Sequence, residues 1–277
     1  MLEQFRQAKK AEIATLMALA AKGAMPRPFS GPRPCFTAML RAKGFPAVIA
    51  EYKRASPSKG EINLSFSPEE AARAYAHAGA GALSVLTEQE YFKGDVAYLA
   101  RMTEPGLPLL RKDFVLHPLQ VDQTAASPAS AVLLIVRMLD DPTLRALVFR
   151  CLDLGLEAVV EVCGEKDLWR ARRIGASCIL VNNRDLQTLR VDLATSRSLA
   201  AFKDRGEFWI TASGITRHEE LTDLLSFRFD AALIGSSLMG GVNPGQELAA
   251  LLDCKAAPFF SSGETGAGQG GGEGGHG

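Results

Sequence analysis

Eight short runs of aliphatic and β-branched residues recur along the chain, each separated from the next by an amphipathic stretch. Most of these runs are apolar at consecutive positions rather than at alternate ones, which is typical of strands buried on both faces of a parallel sheet. The predicted strands occupy residues 48–51, 83–86, 108–111, 131–136, 158–162, 178–181, 208–211 and 231–234.

The stretches between the predicted strands carry signals for helix starts and ends. Ser67 offers a capping hydroxyl, Pro68 suits the first helical position, and Glu70 is placed to accept the free backbone N–H of Ser67. Thr216 and Glu219 repeat this spacing of hydroxyl and carboxylate. Glycine often ends a helix in a left-handed conformation. Five glycines stand just before predicted strands, namely Gly79, Gly106, Gly155, Gly175 and Gly206.

A strand followed by a helix is therefore the repeating unit of the chain. Because crossovers between parallel strands are right-handed, such units form either an open doubly wound sheet or a closed barrel. Eight units in about 210 residues favour closure. We predict a (β/α)8 TIM barrel with an N-terminal helical extension. The extension is expected at residues 1–45, the barrel at 46–256 and a Gly-rich flexible tail at 257–277.

Charge and composition exclude several classes of partner. The 31 basic and 31 acidic side chains cancel, so no overall field draws the chain to nucleic acid or to an anionic membrane. The 5 cysteines are scattered, odd in number and never in C-x-x-C spacing, which favours a reducing, cytoplasmic location. The 4 histidines lack metal-ligand spacing, so no metal is predicted. A charged ligand must therefore be recognised by local groups.

The start of the chain contains a mostly apolar stretch, residues 13–21, about as long as the apolar region of a signal peptide. Glu12 interrupts the transition from the preceding lysines to this stretch, which opposes that interpretation. The apolar positions instead follow helical spacing and predict an amphipathic helix. Its apolar face is expected to comprise Ile13, Leu16, Met17 and Ala20. The later apolar run at 131–136 is too short to span a bilayer.

Polar side chains cluster at or just after the predicted strands. In a parallel barrel the carboxyl ends of all strands converge on one mouth, where the chemistry of such folds takes place. We therefore expect lysines, glutamates, an arginine and an asparagine to share one cleft. The strand-end residues are Glu51, Lys53, Ser56, Ser84, Thr87, Lys112, Asp113, Arg137, Glu161, Asn182, Asn183, Arg184, Ser213, Gly214, Gly235 and Ser236.

The last two strands end in small residues, which predicts an anion site. Ser213 and Gly214 follow the seventh strand, and Gly235 and Ser236 follow the eighth. Glycine lets backbone N–H groups approach an anion closely, and barrels commonly bind phosphate at these two turns. Ser56, after the first strand, is placed to complete the pocket. We expect a phosphorylated small molecule as the ligand.

Residues 49–60 read IAEYKRASPSKG and resemble the first-strand signature of the indole-3-glycerol phosphate synthase family. Similar matches touch every other strand, in the order and spacing of that family, from about residue 46 to residue 252. They comprise SVLT at 84–87, LRKDF at 110–114, LLIV at 133–136, VEV at 160–162, VNNRDL at 181–186, SGI at 213–215 and LIGSSLM at 233–239.

The resemblance implies a cofactor-free ring closure in tryptophan biosynthesis. The implied substrate is 1-(2-carboxyphenylamino)-1-deoxyribulose 5-phosphate, which loses carbon dioxide and water to give indole-3-glycerol phosphate. By this match Lys112 is the leading general acid, and Lys53 holds the aromatic carboxylate or protonates the leaving hydroxyl. Glu161 is the matching base, and Glu51 orients Lys53. Which lysine acts at which step stays open, as does any contact with neighbouring enzymes of the pathway.

The remaining implied residues bind the substrate rather than transfer protons. Asn182 and Arg184 would hold its hydroxyls or intermediates. Leu86, Phe114 and Leu133 would pack around the aromatic ring, although such apolar residues serve equally well as plain core. The phosphate would fall to Ser56, Ser213, Gly214, Gly235 and Ser236.

The chain also departs from the family pattern. Ala212 stands where the family usually has a glutamate directly before the seventh-strand Ser-Gly, so one carboxylate is missing from the site. Cys163 likewise replaces a common histidine. The first departure puts the rate in doubt more than the reaction type, because Glu161 and both lysines are retained.

Two alternatives remain open from the sequence. A lysine at a barrel mouth is chemically suited to attack a carbonyl, so a Schiff-base aldolase acting on a phosphosugar is one of them. A barrel that binds a phosphorylated ligand without catalysis is the other, since a fold does not guarantee activity.

Overall fold

A computed structural model describes residues 1–44 and 46–253 of the chain. Eight parallel strands close into one barrel, in which the first strand pairs with the last in the register Val48 with Ala232. The predicted barrel is confirmed. In chain order its strands are β1 (Val48–Tyr52), β4 (Ala82–Leu86), β5 (Leu109–Lys112), β6 (Ala131–Ile135), β7 (Glu157–Val162), β8 (Cys178–Asn182), β9 (Phe208–Ala212) and β10 (Ala231–Ile234).

Helices surround the barrel and two of them precede it. The helices are α1 (Leu2–Ala21), α2 (Phe36–Lys43), α3 (Pro68–His77), α4 (Tyr98–Arg101), α5 (Pro118–Ala125), α6 (Asp141–Asp153), α7 (Glu165–Arg173), α8 (Ala194–Ala200), α9 (His218–Ser226) and α10 (Pro244–Leu251). The division at residues 45–46 stays a prediction, and the tail predicted at 257–277 lies outside the described residues.

Local helix signals were mostly read correctly. Ser67 and Glu70 form the predicted reciprocal cap of α3, and the five glycines before strands all have positive φ, from 67° to 98°. The prediction for α9 was wrong by one residue. Its capping carboxylate belongs to Glu220, which accepts the backbone N–H of Thr216 at 2.9 Å, because the helix begins one position later than expected.

The barrel owes its stability to strands that are apolar on both sides. Every residue of β1, β4, β6, β8 and β9 is buried, as continuous apolar runs predict for a sheet packed between an interior core and outer helices. A short antiparallel hairpin was not predicted. It pairs β2 (Ala55–Ser56) with β3 (Gly60–Glu61) directly after the first barrel strand.

Helix α1 packs along the barrel through most of the predicted face, in which Ile13 and Ala20 are half-buried and Met17 is the exception. Leu16 is buried, whereas Met17 is 53% exposed. The other fully buried side chains of α1 are Phe5 and Lys9, near its N-terminus. The prediction used apolar spacing alone, whereas the helix is fixed by contacts with β5 and α5 that lie about 100 residues away. Within the described residues, no helix is long and apolar enough to cross a membrane.

Candidate active site

The carboxyl ends of the strands surround two adjoining cavities, of about 700 and 770 Å³. The residues to which the family resemblance assigns a role all line one cavity or the other, although those roles stay predictions. Leu86, Phe114, Leu133, Glu161 and Ser56 line the first cavity, and Glu51, Gly214 and Gly235 line the second. Six residues face both, namely Lys53, Lys112, Asn182, Arg184, Ser213 and Ser236.

Four charged side chains form the centre of this mouth, and we call them the mouth cluster: Glu51, Lys53, Lys112 and Glu161. The carboxylate of Glu51 receives the Lys53 ammonium at 2.6 Å on one oxygen. Its other oxygen lies 3.6 Å from Lys112 Nζ and accepts the Ser84 hydroxyl at 3.3 Å. Glu51 therefore holds two amines together, as strands β1 and β5 bring residues 61 positions apart to the same mouth.

The electrostatics of Glu51 and Lys53 follow from burial and pairing. Burial alone would raise the pKa of Glu51, but the charges of Lys53 and Lys112 outweigh it and leave that pKa below its ordinary value. Burial lowers the pKa of Lys53. The charge of Glu51 acts in the opposite direction, and the charge of Lys112 lowers that pKa further. Glu51 is thus a permanent anion, and Lys53 is a cation that releases its proton more readily than an exposed lysine.

Glu161 is a different kind of carboxylate. Glu161 is 2% exposed, and its Oε1 accepts a hydrogen bond from the Asn182 side-chain amide at 3.0 Å. Burial raises the pKa of Glu161, and the opposing effects of Lys112 and Asn182 do not cancel it. A buried carboxyl with a raised pKa is a stronger base than an exposed glutamate, so it is suited to accept and return protons.

Asn182 connects Glu161 to the residues beyond it. Its side-chain oxygen accepts the backbone N–H of Arg184 at 3.0 Å. Asn182 ends β8, so its amide is fixed between the Glu161 carboxylate and the start of the next loop. This arrangement leaves the guanidinium of Arg184 facing both cavities.

The small residues after β9 and β10 shape the second cavity. Gly235 leaves room for Glu51, since a Cβ on Gly235 would lie 2.4 Å from Glu51 Oε1. The backbone at Ser213 and Gly214 is left-handed, with φ values of 69° and 89°. Lys53 Nζ donates to the Ser236 hydroxyl at 3.4 Å. The turns predicted to bind phosphate are therefore continuous with the mouth cluster.

An apolar wall faces the mouth cluster across the first cavity. It includes the predicted Leu86, Phe114 and Leu133, and also Phe5 from α1, which stacks on Phe114 with ring centroids 4.2 Å apart. Sequence reasoning missed Phe5, because nothing in its neighbourhood shows that the first helix reaches the mouth. Other lining residues that it missed are Glu88, Phe92, Ile135, Leu186 and Leu189. Leu186 and Leu189 follow the predicted site residue Arg184 in the same loop, and this closeness in sequence could have indicated that they line the cavity.

Several strand-end residues expected at the mouth serve elsewhere. Arg137 pairs with Asp167 at 2.7 Å and Asp185 at 2.9 Å and lines neither cavity. Asp113 borders the first cavity, but its carboxylate pairs with Lys9 of α1 at 2.7 Å. The expectation that strand ends supply only the mouth was therefore too broad, because successive residues at a strand end point to opposite faces of the sheet. In the described part of the chain, no three His, Cys, Asp or Glu side chains are grouped to hold a metal.

Comparisons with solved structures confirm the architecture. The 3-hexulose-6-phosphate synthase of Salmonella typhimurium superimposes with a TM-score of 0.59 at 14% identity, covering 74% of this chain and 98% of that chain. The thiamine phosphate pyrophosphorylase of Pyrococcus furiosus does so with a TM-score of 0.55 at 16% identity, covering 77% and 96%. At such low identity these likenesses show the fold alone.

Sequence comparisons are more specific. A family model described as indole-3-glycerol phosphate synthase matches residues 2–251. The chain is 46% identical over 208 residues to the indole-3-glycerol phosphate synthase of Aquifex aeolicus, which covers 74% of this chain and 80% of that relative. It is 41% identical over 219 residues to the enzyme of that name from Carboxydothermus hydrogenoformans, covering 78% and 83%. This chain belongs to the indole-3-glycerol phosphate synthase family.

Proposed function

We propose that the chain catalyses the ring closure of 1-(2-carboxyphenylamino)-1-deoxyribulose 5-phosphate to indole-3-glycerol phosphate, with loss of carbon dioxide and water. The observation that carries this proposal is the mouth cluster. Two lysine ammonium groups share one ionised carboxylate, and a second carboxyl with a raised pKa lines the same cavity. The reaction needs a proton donor at a ketone and a proton acceptor at carbon, and this cluster supplies both.

Ring closure begins when the ring carbon that bears the carboxylate attacks the ketone carbon of the ribulose chain. The ketone oxygen becomes a hydroxyl and takes a proton from the Lys112 ammonium. Lys112 is suited to this role because it lines both cavities and its side chain is 19% exposed, so its ammonium can reach a bound ketone. A positioned acid of this kind accelerates a proton transfer by about 10²–10⁴-fold.

Decarboxylation follows, and its electron pair restores the aromatic ring. The bond between the ring and the carboxylate breaks, and neutral carbon dioxide leaves. Because a carboxylate departs as a neutral gas, the whole reaction takes up one proton. Lys53 holds the carboxylate before this step, and the anionic Glu51 fixes the Lys53 ammonium at 2.6 Å.

Dehydration completes the indole. The new hydroxyl leaves as water with a proton from a mouth lysine, and the neighbouring methylene loses a proton to Glu161. The raised pKa of Glu161 makes its carboxylate a stronger base than an exposed glutamate. Asn182, bonded to Glu161 at 3.0 Å, orients that carboxylate.

The substrate's other groups match the rest of the mouth. We assign the aromatic ring to the wall of Leu86, Phe114 and Leu133 in the first cavity. The ribulose hydroxyls fall to Arg184, which faces both cavities. The phosphate falls to the small turns, whose residues are Ser56, Ser213, Gly214, Gly235 and Ser236.

Fluorescence of the indole product tests the proposal directly. Purified protein and the anilino substrate are expected to produce a rising indole signal. Lys112→Ala is expected to lower kcat by about 10²–10⁴-fold, because the ketone oxygen loses its proton donor. Lys10→Ala, which removes an exposed lysine of α1, serves as the matched control and should retain wild-type kcat.

Two outcomes contradict the proposal. Borohydride reduction that attaches a ketose phosphate covalently to Lys53 or Lys112 would support a Schiff-base aldolase. Binding of the anilino substrate without turnover, equal in the wild type and in Lys112→Ala, would support a barrel that only binds phosphorylated ligands.

A further inference from the structure

We propose that Arg137 is a positioning residue that holds the loop between β8 and α8, residues 183–193, in the shape that binds the substrate. The inference rests on the proposed function of the mouth, and assigns a role to a side chain that touches neither cavity.

The β8–α8 loop contributes to both parts of the mouth. Leu186 and Leu189 line the first cavity together with Arg184, which also lines the second. Further along, Val191 packs against the turn at Gly214, where an added Cβ would lie 2.6 Å from Val191 Cγ1. A shift of this loop would therefore move groups assigned to the ring, the hydroxyls and the phosphate at the same time.

Arg137 ties this loop to two neighbouring strand ends. It follows β6, and its Nη1 donates to Asp185 of the loop at 2.9 Å. Its Nε donates to Asp167 at 2.7 Å, and its Nη2 donates to the carbonyl of Cys163, just after β7, at 3.3 Å. The planar guanidinium makes three directed bonds at once, which an ammonium cannot reproduce.

Asp185 connects Arg137 to the backbone of the loop. While Oδ2 accepts from Arg137, Oδ1 accepts the backbone N–H groups of Gln187 at 2.9 Å and Thr188 at 2.8 Å. The resulting turn places the carbonyl of Leu189 where it accepts Arg184 Nη1 at 2.9 Å. The orientation of the Arg184 guanidinium therefore depends on a carboxylate that Arg137 holds.

The expected effect lies in substrate binding rather than in the proton transfers. Lys112 and Glu161 come from β5 and β7, and the Asn182 amide that orients Glu161 belongs to β8, so all three are held by barrel strands. Loss of the Arg137 bonds should weaken the binding of the substrate equally in its ground state and in the transition state. Such a loss raises KM and leaves kcat nearly unchanged.

The test compares Arg137→Gln with Arg173→Gln in the full chain. Arg173 makes a similar ion pair with Asp141 at 3.0 Å on the outside of the barrel, so the two variants lose the same chemistry at different places. Arg137→Gln is expected to raise KM about tenfold with kcat changed less than about twofold, and Arg173→Gln should leave both near wild type. Equal KM values in the two variants would overturn the proposal, as would a fall in kcat at unchanged KM.

Asp185→Asn provides a second variant in case Arg137→Gln does not fold. It removes the charge pair, keeps an oxygen for the turn and should raise KM in the same direction. The double variant should raise KM no more than the larger single change, because both act through one interaction. Full additivity of the two effects would contradict the assigned link.

Inorganic phosphate separates this inference from the proposed reaction. Its dissociation constant is measured by titration without any turnover, and it should rise in Arg137→Gln because the turn at Gly214 packs against the loop. If the wild type does not convert the anilino substrate, the proposed reaction fails while this comparison still tests the positioning role. If the wild type is active but Arg137→Gln binds phosphate and substrate like Arg173→Gln, only the positioning role fails.

Discussion

Two clusters of buried charge meet at strand β5, one on each side of it. The mouth cluster includes Lys112, and the anchor cluster comprises Lys9, Glu12, Arg111 and Asp113. Arg111, Lys112 and Asp113 are consecutive, and successive side chains of a strand point to opposite faces. Lys112 therefore points into the barrel mouth, while Arg111 and Asp113 pair with Glu12 and Lys9 of helix α1, although Asp113 also borders the first cavity.

The anchor cluster is saturated with partners. Asp113 Oδ1 accepts Lys9 Nζ at 2.7 Å and the Phe114 backbone N–H at 2.8 Å, and its Oδ2 accepts Arg111 Nη2 at 2.9 Å. Arg111 also donates to the Gln120 carbonyl at 3.1 Å. The side chains of Arg111 and Asp113 are 0% exposed. A cluster in which every polar atom has a partner rigidifies the fold but has no group free to bind a ligand.

The mouth cluster also brings carboxylates and basic side chains together, but its members have fewer partners. In the described part of the chain, Lys112 makes a single ion pair at 3.6 Å, and Glu161 has one side-chain hydrogen bond. Lys53 and Lys112 remain 15% and 19% exposed to the cavity. The comparison teaches that spare hydrogen-bonding capacity, rather than residue type, separates a candidate catalytic group from a structural one.

The largest expected effect comes from removing a charge at the mouth. Glu161→Gln should lower kcat by about 10²–10⁴-fold, because the amide cannot accept the proton released on aromatisation. Because the pKa of Glu161 is raised in the folded state, the contribution of this carboxyl to the stability of the folded protein is lost as pH rises through that pKa. The amide removes this penalty, so Tm at neutral pH should rise.

Steady-state kinetics and thermal melts of the same samples check both parts of this prediction. Retention of kcat within about threefold would assign the final proton transfer to another group. A lower Tm at neutral pH would show that Glu161 is structural, like the anchor carboxylate.

The same carboxylate-to-amide change in the anchor cluster should act on stability instead. Asp113→Asn leaves the buried Lys9 and Arg111 with Glu12 but without the buried anion that they share and should lower the free energy of unfolding by about 3 kcal/mol. Burial opposes ionisation of Asp113, but Arg111 and Lys9 outweigh it and lower its pKa from 3.8 to about 2. The stabilisation that ionised Asp113 provides is present above the pKa of the unfolded state and is lost as pH falls toward the pKa of the folded state.

Urea unfolding between pH 7 and pH 2 measures this contribution. Over that range the free energy of unfolding of the wild type should fall by about 2 kcal/mol more than that of Asp113→Asn, as the lowered pKa of Asp113 implies. Parallel pH dependence in the two proteins would contradict the anchoring role of Asp113.

A smaller effect is expected from adding a carboxylate where the family usually has one. Ala212 lines the second cavity and pairs in register with Asn182 of the neighbouring strand. Ala212→Glu should raise kcat, by about threefold, because a further proton acceptor then faces the substrate. Ala212→Gln is the control for size. If kcat falls or stays level in Ala212→Glu, a glutamate at this position is no catalytic aid.

The barrel was predictable because its signals are local and repeated. The strand predicted at 158–162 is observed as Glu157–Val162, and the one predicted at 131–136 ends one residue earlier, where Val136 starts a short 3₁₀ turn. Continuous burial on both faces makes such runs recognisable. The candidate site followed from the same signals, since all parallel strands end at one mouth.

Contacts between distant parts of the chain were not predictable. No role was predicted for Lys9, one of the lysines before the apolar stretch at 13–21, yet Lys9 is 2% exposed and bonded to Asp113. Arg137 was placed with the mouth residues, yet it pairs with Asp167 and Asp185 outside both cavities. In each case the deciding partner lies 30 or more residues away, and no local pattern identifies it.

The amino-acid order alone determined the alternation of strand and helix, the closed parallel barrel and the set of polar residues at the strand ends, because these depend on neighbours in the chain. Only the tertiary structure decided which of those residues face the cavity, which are saturated by partners and in which direction each pKa moves. Burial and charge pairing act through space, so Lys112 and Asp113, adjacent in sequence, acquire different environments once the barrel closes and helix α1 packs against its side.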